Sequence, residues 1–238
     1  MGNTNDLQAL VFDVQGTATD FRSTVAEVAQ RLGGAAAPMV DWGAFVDRWR
    51  GLYRPALDAV LDGTRPWTSV DTIYREALDK LLLEEGLSVF DESQRRELNH
   101  AWQALRPWPD VVQGLTRLKA RFKIVTLSNA DVSAVVNISK RSGLPWDAVF
   151  AAEMVGTFKP DPRTYQMALK YLGLAPQQAM MVACHKYDLH GARALGLRTA
   201  FVTRPLEFGP QVKLDLAHEA AFDINAADFI DLAEQLGC

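Results

Sequence analysis

The stretch "LQALVFDVQGTATD", residues 7–20, decides the fold, because its short apolar run ends in an acid and a turn. Four later runs are also apolar: "FKIVTLSN" (122–129), "AVFAAEMV" (148–155), "AMMVAC" (179–184) and "RTAFVT" (198–203). From the second run onward, stretches with apolar residues at helical spacing separate one run from the next. Continuous apolar strands that alternate with amphipathic helices indicate a parallel sheet covered on both faces. The sequence therefore predicts a doubly wound α/β core.

Residues 18–100 depart from this alternation, because they have helical periodicity without a convincing strand. The segment "RPWPD" (106–110) contains two prolines and is typical of a hinge that returns the chain to the core. A helical insertion directly after the first strand lies above the carboxyl edge of the sheet. We predict an α/β core domain of residues 1–17 and 105–238, with an inserted helical cap subdomain of residues 18–104.

Composition and charge narrow the class of partner. The net charge of −4 and the absence of a Lys/Arg block argue against nucleic acid and anionic membranes as partners. No apolar run approaches the roughly 20 residues of a membrane span. The segment "MGNTNDLQ" lacks the features of a secretory signal, and the two cysteines have no metal or disulfide spacing. We therefore expect a cytoplasmic protein.

Polar side chains follow several of the predicted strands at the point where each strand ends. Because ligands of a doubly wound sheet bind at the carboxyl ends of its strands, we expect these side chains to converge. They comprise an acid, hydroxyl and amide donors, a cation and a second acid. The set is Asp13 and Thr17, then Ser128 and Asn129, then Lys159, then His185 and Asp188.

In this ordered set the chain resembles the haloacid dehalogenase superfamily, over its whole length. "FDVQGT" is similar to the first family motif, "TLSN" to the second, "FKPDP" to the third and "MVACHKYDLHGARALGLRTAFV" to the fourth. The resemblance implies a Rossmann-like core with a cap. It also implies that Asp13 is a nucleophile that forms a covalent ester, and that Lys159 keeps it ionised. Ser128 and Asn129 would bind substrate or steady the nucleophile, and Thr17 of the same turn joins the catalytic set.

Two positions depart from the Mg²⁺-dependent phosphatases that make up most of the superfamily. Gln15 stands where those enzymes have a general acid, and an amide has no proton to give to a leaving alkoxide. Cys184 stands where they have an acidic metal ligand, and a thiol is a poor ligand for Mg²⁺. We therefore predict neither metal nor cofactor, and a phosphatase is the alternative function.

The branch without these phosphatase features is that of the L-2-haloacid dehalogenases, which the chain resembles in further details. Asp188 matches the acid proposed to orient water in that branch, and His185 stands where many members have Asn. Arg50 of "WRGLY" is the best match to the cap arginine, ahead of Arg48 and Arg54. The resemblance thus implies a substrate-binding set of Val14, Gln15, Arg50, Tyr165 and His185.

The implied reaction is displacement of the C2 substituent of a short L-2-substituted carboxylic acid by Asp13, with inversion. Water placed by Asp188, with help from His185 or Asn129, then hydrolyses the ester and releases a 2-hydroxy acid. Two leaving groups stay open, namely halide and the ring nitrogen of L-azetidine-2-carboxylate. Gln15 replaces the aromatic residue usual in dehalogenases, and its amide suits a ring ammonium. A non-catalytic relative is a further alternative, and the family leads us to expect a homodimer.

Overall fold

The computed structural model describes residues 6–238, so the amino-terminal part of the segment used above to argue against a secretory signal lies outside it. The strands are β1 (Ala9–Phe12), β2 (Thr19–Asp20), β3 (Arg106–Pro107), β4 (Lys123–Thr126), β5 (Ala179–Ala183), β6 (Arg198–Val202) and β7 (Ile224–Ala226). The helices are α1 (Phe21–Gly33), α2 (Trp42–Leu61), α3 (Val70–Glu84), α4 (Glu92–His100), α5 (Val111–Lys119), α6 (Val132–Ser142), α7 (Pro162–Leu172), α8 (Lys186–Ala194) and α9 (Phe229–Gln235).

The main sheet has five parallel strands in the order β4-β1-β5-β6-β7, and β1 pairs with β4 on one side and β5 on the other. Successive residues of β1 are buried on opposite faces. Leu10 and Phe12 belong to one hydrophobic core and Val11 to another. Because both faces are covered, the strand is continuously apolar rather than alternating. The predicted doubly wound α/β core is confirmed.

One predicted strand is wrong. Residues 148–155 make only two isolated bridges, Val125 with Ala148 and Ser128 with Ala151, and then form a 3₁₀ helix over Ala152–Val155. The Thr126 hydroxyl explains the interruption, because it donates to the carbonyl of Phe150 at 2.9 Å and accepts from its N–H at 3.0 Å. A side chain thus forms the backbone contacts that a regular ladder would need. The edge strand β7 and helix α9 had no counterpart in the sequence prediction.

Helices α1 to α4 lie between the short antiparallel strands β2 and β3, which pair Thr19 with Pro107 and Asp20 with Arg106. The residues directly before the first three helices are Asp20, Asp41 and Ser69. Their side chains accept hydrogen bonds from backbone N–H groups of the first turn and so act as N-caps. Large side chains from these helices are buried together in one hydrophobic core. The division into a core and a cap of residues 18–104 stays a prediction. None of the helices between residues 6 and 238 has the length and apolarity that crossing a bilayer requires.

Candidate active site

Asp13 follows β1, at the carboxyl edge and near the centre of the sheet, and its side chain is buried. One oxygen, Oδ1, accepts from the Lys159 ammonium at 3.0 Å. The other, Oδ2, accepts from the Thr17 hydroxyl at 2.7 Å and lies 3.2 Å from Nδ1 of His185. Burial acts to raise the pKa of Asp13, but Lys159, His185 and Thr17 together hold it well below its ordinary value. The carboxylate is therefore ionised at neutral pH and is competent as a nucleophile.

Lys159 lies between two acids, Asp13 and Asp188, and its side chain is almost fully buried. Burial acts to lower the pKa of Lys159, but Asp13 and Asp188 raise it above its ordinary value. Asn129 fixes the backbone of this lysine, since its oxygen accepts from the Lys159 N–H at 2.7 Å and its amide donates to the Lys159 carbonyl at 3.2 Å. The ammonium is thus held in place as a cation beside the Asp13 carboxylate.

Asp188 has both carboxylate oxygens engaged inside the protein. The Lys159 ammonium donates to Oδ2, and the Tyr165 hydroxyl donates to Oδ1 at 2.8 Å. The residue is fully buried. The sequence assigned Asp188 to water and Tyr165 to substrate, and both roles stay predictions; in the structure Asp188 contacts Lys159 and Tyr165.

Ser128 presents a side chain suited to a ligand. It lies just beyond β4 and is buried, and its hydroxyl has no hydrogen-bond partner within residues 6–238. A buried hydroxyl without a partner costs free energy, so such groups in folded proteins usually have a ligand or a function. A substrate carboxylate at this edge of the sheet would accept from it.

Arg50 reaches the site through a chain of two hydrogen bonds. Its guanidinium donates to the Tyr74 hydroxyl at 2.8 Å and stacks on the Tyr53 ring, 4.0 Å from the centroid. Because arginine only donates, the single proton of Tyr74 goes to Oε1 of Gln15, at 3.1 Å. Gln15 Oε1 therefore accepts one hydrogen bond from Tyr74, and the NH₂ group of the same amide can only donate.

The remaining sequence candidates lie elsewhere. Arg48 forms a surface ion pair with Glu85, and Arg54 pairs with Asp58 at 2.7 Å. The Val14 side chain is fully buried in the hydrophobic core, so a role in substrate binding falls to its backbone at most.

Glu207 is the site residue that sequence reasoning missed. It lies beyond β6, is buried, and its Oε1 is 2.9 Å from Nε2 of His185. Gly16 makes room for it, because a Cβ at that position would lie 2.3 Å from Glu207 Oε1. Gly16 also has a φ of +89°, which favours glycine. A glutamate in an irregular loop, just beyond the last motif, gives no local signal in the sequence.

A Mg²⁺ ion of the phosphatase kind does not fit these residues. Ligand atoms of Cys184, His185 and Glu207 lie within 4.8 Å of one another, but sulfur and imidazole nitrogen are not the oxygen donors that Mg²⁺ prefers.

Comparison with known proteins identifies the family of this chain. The family model described as haloacid dehalogenase-like hydrolase matches residues 7–196. The crystal structure of the L-2-haloacid dehalogenase PA0810 is 42% identical, with a TM-score of 0.92, and the match covers 97% of this chain and 99% of that one. The (S)-2-haloacid dehalogenase of Xanthobacter autotrophicus is 31% identical over 200 residues, 83% of this chain and 76% of the relative.

A solved structure of L-2-haloacid dehalogenase from Xanthobacter autotrophicus has chloropropionic acid covalently bound. It is 26% identical, with a TM-score of 0.81, and the match covers 97% of this chain and 98% of that one. The chain therefore belongs to the haloacid dehalogenase-like hydrolases, in the branch of the (S)-2-haloacid dehalogenases.

Proposed function

We propose that this protein is a hydrolase that removes the halide from short L-2-haloacids through an ester on Asp13. The observation that carries the proposal is the environment of the Asp13 carboxylate, which is buried, ionised and in contact with the Lys159 ammonium at 3.0 Å. An ionised carboxylate that has lost its water shell is suited to attack at carbon. Attack on an anionic phosphate would bring two negative charges together, because the cluster of candidate metal ligands found within residues 6–238 contains sulfur and imidazole nitrogen rather than the oxygen donors of Mg²⁺.

In the first half-reaction a carboxylate oxygen of Asp13 attacks C2 from the side opposite the halogen. The new C–O bond forms as the carbon–halogen bond breaks, so C2 is inverted and halide leaves with the bonding electrons. Ser128 and backbone N–H groups would hold the substrate carboxylate. In the second half-reaction water attacks the carbonyl carbon of the Asp13 ester and releases a 2-hydroxy acid.

The hydrogen bonds of Gln15 favour halide over the ring amine as leaving group. Tyr74 already donates to the amide oxygen of Gln15, whereas the NH₂ group of that amide can only donate. A departing halide accepts hydrogen bonds, and the Arg50 guanidinium adds a cation nearby. The ring ammonium of L-azetidine-2-carboxylate would need an acceptor instead. Ring opening is therefore the second candidate activity, and the same assay tests it.

The test uses purified protein, EDTA, L-2-chloropropionate and, separately, L-azetidine-2-carboxylate. We expect chloride release with formation of the D-2-hydroxy acid, and no activity in the isosteric variant Asp13→Asn. The surface variant Asp62→Asn is the matched control and should keep full activity. A single turnover in ¹⁸O-water should place the label in Asp13 rather than in the product.

Three results would contradict the proposal. The first is label in the hydroxy acid after one turnover, since water would then have attacked C2 directly. The second is activity confined to phosphate esters with Mg²⁺, which would favour the phosphatase alternative. The third is inactivity on every substrate, which would favour a non-catalytic relative. The homodimer and the cytoplasmic location stay predictions, and size-exclusion chromatography with light scattering tests the first of them.

A further inference from the structure

His185 lies between two carboxylates, one of which is the nucleophile. Its Nδ1 is 3.2 Å from Asp13 Oδ2, and its Nε2 is 2.9 Å from Glu207 Oε1. An imidazole held on one nitrogen by a buried acid and aimed with the other at the reacting group is the arrangement of a general base and its orienting partner. We propose that His185 and Glu207 are the base pair that activates water for hydrolysis of the Asp13 ester. The proposal rests on the dehalogenase function above.

The other candidates for this step are enclosed. Asp188 is fully buried, with one oxygen bonded to Lys159 and the other to Tyr165. Asn129 uses both of its amide groups on the Lys159 backbone. Every polar side-chain atom of Asp188 and Asn129 therefore already has a protein partner.

His185 has access to water. Its side chain is 19% exposed, and it lines a cavity of about 320 Å³ together with Cys184, Tyr187 and Glu207. The cavity has room for water beside the His185 ring, whose Nδ1 is 3.2 Å from Asp13 Oδ2. It also gives a proton a route to solvent.

The residues packed around Glu207 hold its carboxylate in this position. It is only 4% exposed, and a buried carboxylate requires a partner. The turn after the nucleophile has glycine where any Cβ would collide with the glutamate. The Cys184 thiol also lies 3.7 Å from Oε2, so both carboxylate oxygens face side chains of the site.

The protons balance through the cycle. In the resting enzyme burial acts to lower the pKa of His185, but Cys184, Glu207 and Asp13 raise it well above its ordinary value, so the ring is an imidazolium. Alkylation removes the charge of Asp13 and with it one reason for that raised pKa. The imidazolium then releases one proton to solvent through the cavity.

The neutral ring next accepts a proton from water while the water oxygen bonds to the Asp13 carbonyl carbon. Collapse of the tetrahedral intermediate breaks the bond to the product oxygen, and that alkoxide takes the proton of the new carboxylic acid group. Asp13 is again a carboxylate and His185 again an imidazolium. The sum is haloacid plus water giving hydroxy acid, halide and one proton.

The groups that face His185 fix the expected pH dependence. They are Asp13, Cys184 and Glu207, with Tyr187 stacked at 5.9 Å between ring centroids. Lys159 lies on the far side of Asp13. In the ester state the rate of hydrolysis should rise with pH until His185 is neutral, whereas the rate of alkylation should not follow this titration.

The experiment separates the two half-reactions in His185→Asn and Glu207→Gln by rapid quench and intact-protein mass spectrometry with L-2-chloropropionate. We expect ester formation at close to the wild-type rate and ester hydrolysis slowed by about 10²-fold or more in His185→Asn. Glu207→Gln should show a smaller loss of the same step. In both variants most of the enzyme should accumulate as the ester.

The chain offers a matched control in an exposed histidine–glutamate pair, His190 and Glu219, whose atoms are 3.2 Å apart. His190→Asn and Glu219→Gln should hydrolyse the ester at the wild-type rate. A purely structural role for the buried pair is tested with His185→Ala, because imidazole added to the solution should restore ester hydrolysis through the open cavity. A misfolded variant would not be rescued in this way.

Four outcomes would overturn the proposal. They are ester hydrolysis at the wild-type rate in both variants, slowed alkylation without ester accumulation, no rescue by imidazole in a folded His185→Ala protein, and loss of wild-type ester hydrolysis in EDTA that Zn²⁺ restores. The last would make the cluster a metal site. Absence of any Asp13 adduct, in the wild type as well, would instead refute the dehalogenase function itself.

Discussion

Replacing Lys159 with methionine tests the electrostatic basis of the nucleophile. Met keeps much of the volume of the buried stem and removes the charge that lies 3.0 Å from Asp13. At an effective dielectric constant of about 20, a unit charge at that distance contributes about 5 kcal/mol. Removal of one partner of a buried ion pair typically lowers the free energy of unfolding by about 3–5 kcal/mol, which is close to this Coulomb contribution. Two buried carboxylates, Asp13 and Asp188, would then face each other without a cation.

The sign of the pH effect follows from the direction of the pKa change. In the wild type the pKa of Asp13 in the folded protein is below that of the unfolded chain. Its contribution to stability is therefore present above the unfolded value and lost as pH falls through the folded one. A change of about 5 kcal/mol corresponds to a change of about three to four in the pKa of Asp13. In Lys159→Met the pKa of Asp13 in the folded protein should therefore lie above that in the unfolded chain.

The assay is the single-turnover rate of ester formation on Asp13, followed by intact mass from about pH 5 to about pH 9. We expect the rate to fall toward the acidic end of this range, as Asp13 becomes protonated, whereas the wild-type rate should stay level. Urea unfolding should show a lower free energy of unfolding at pH 7. The matched control is Lys119→Met, whose exposed partner Asp147 is 2.6 Å away. That variant should change stability by less than about 1 kcal/mol.

An alkylation rate in Lys159→Met that is independent of pH and within about tenfold of the wild type would refute this reasoning. It would mean that Thr17 and His185 alone keep Asp13 ionised. A control variant as damaged as Lys159→Met would show that the loss has nothing to do with the site.

Three further substitutions test other parts of the structure. Ser128→Ala should raise KM about tenfold or more with little loss of stability, because the hydroxyl has no partner within the described chain. Arg204→Met should lower the free energy of unfolding by about 3–5 kcal/mol, since it removes a buried bidentate pair with Asp110. Tyr74→Phe should cost about 1–3 kcal/mol of stability and lower kcat, because the Gln15 oxygen loses its donor.

Kinetics and urea unfolding on matched variants check these three. Ser139→Ala removes a hydroxyl bonded within its own helix, and it should leave KM unchanged. Arg163→Met removes an exposed pair with Asp161, and it should cost less than about 1 kcal/mol. Tyr171→Phe changes an exposed side chain, so it should alter neither the free energy of unfolding nor kcat. An unchanged KM in Ser128→Ala would remove that residue from the substrate site, and an equal effect of the two arginine variants would contradict the buried-pair argument.

The sequence alone determined the core of the fold and part of the surroundings of Asp13. Runs that are apolar at every position require burial on two faces, and that requirement implies a parallel sheet between helices. The carboxyl ends of parallel strands share one edge, so residues as distant as Asp13 and Lys159 had to converge there. The structure brings those two within 3.0 Å, with Thr17 beside them.

Only the tertiary structure decided the features that depend on packing between distant segments. The apolar run at 148–155 has the composition of a strand, yet the Thr126 side chain takes the backbone bonds that a ladder would use. Asp188 has the spacing of a water-activating acid, yet Lys159 and Tyr165 enclose it. Spacing along the chain reports which side chains reach the edge of a sheet, but not which of them retain a free polar atom there.

Glu207 and Tyr74 are the clearest examples of residues whose contacts depend on the tertiary structure. One lies in an irregular loop after β6 and the other in α3, and neither belongs to a motif. Their importance comes from two contacts across the fold, 2.9 Å to His185 and 3.1 Å to Gln15. Such contacts exist only once the loop and the helix have docked on the sheet. Gln15 drew attention as an unusual residue in the sequence, but the proton of Tyr74 decides that its amide presents a donor.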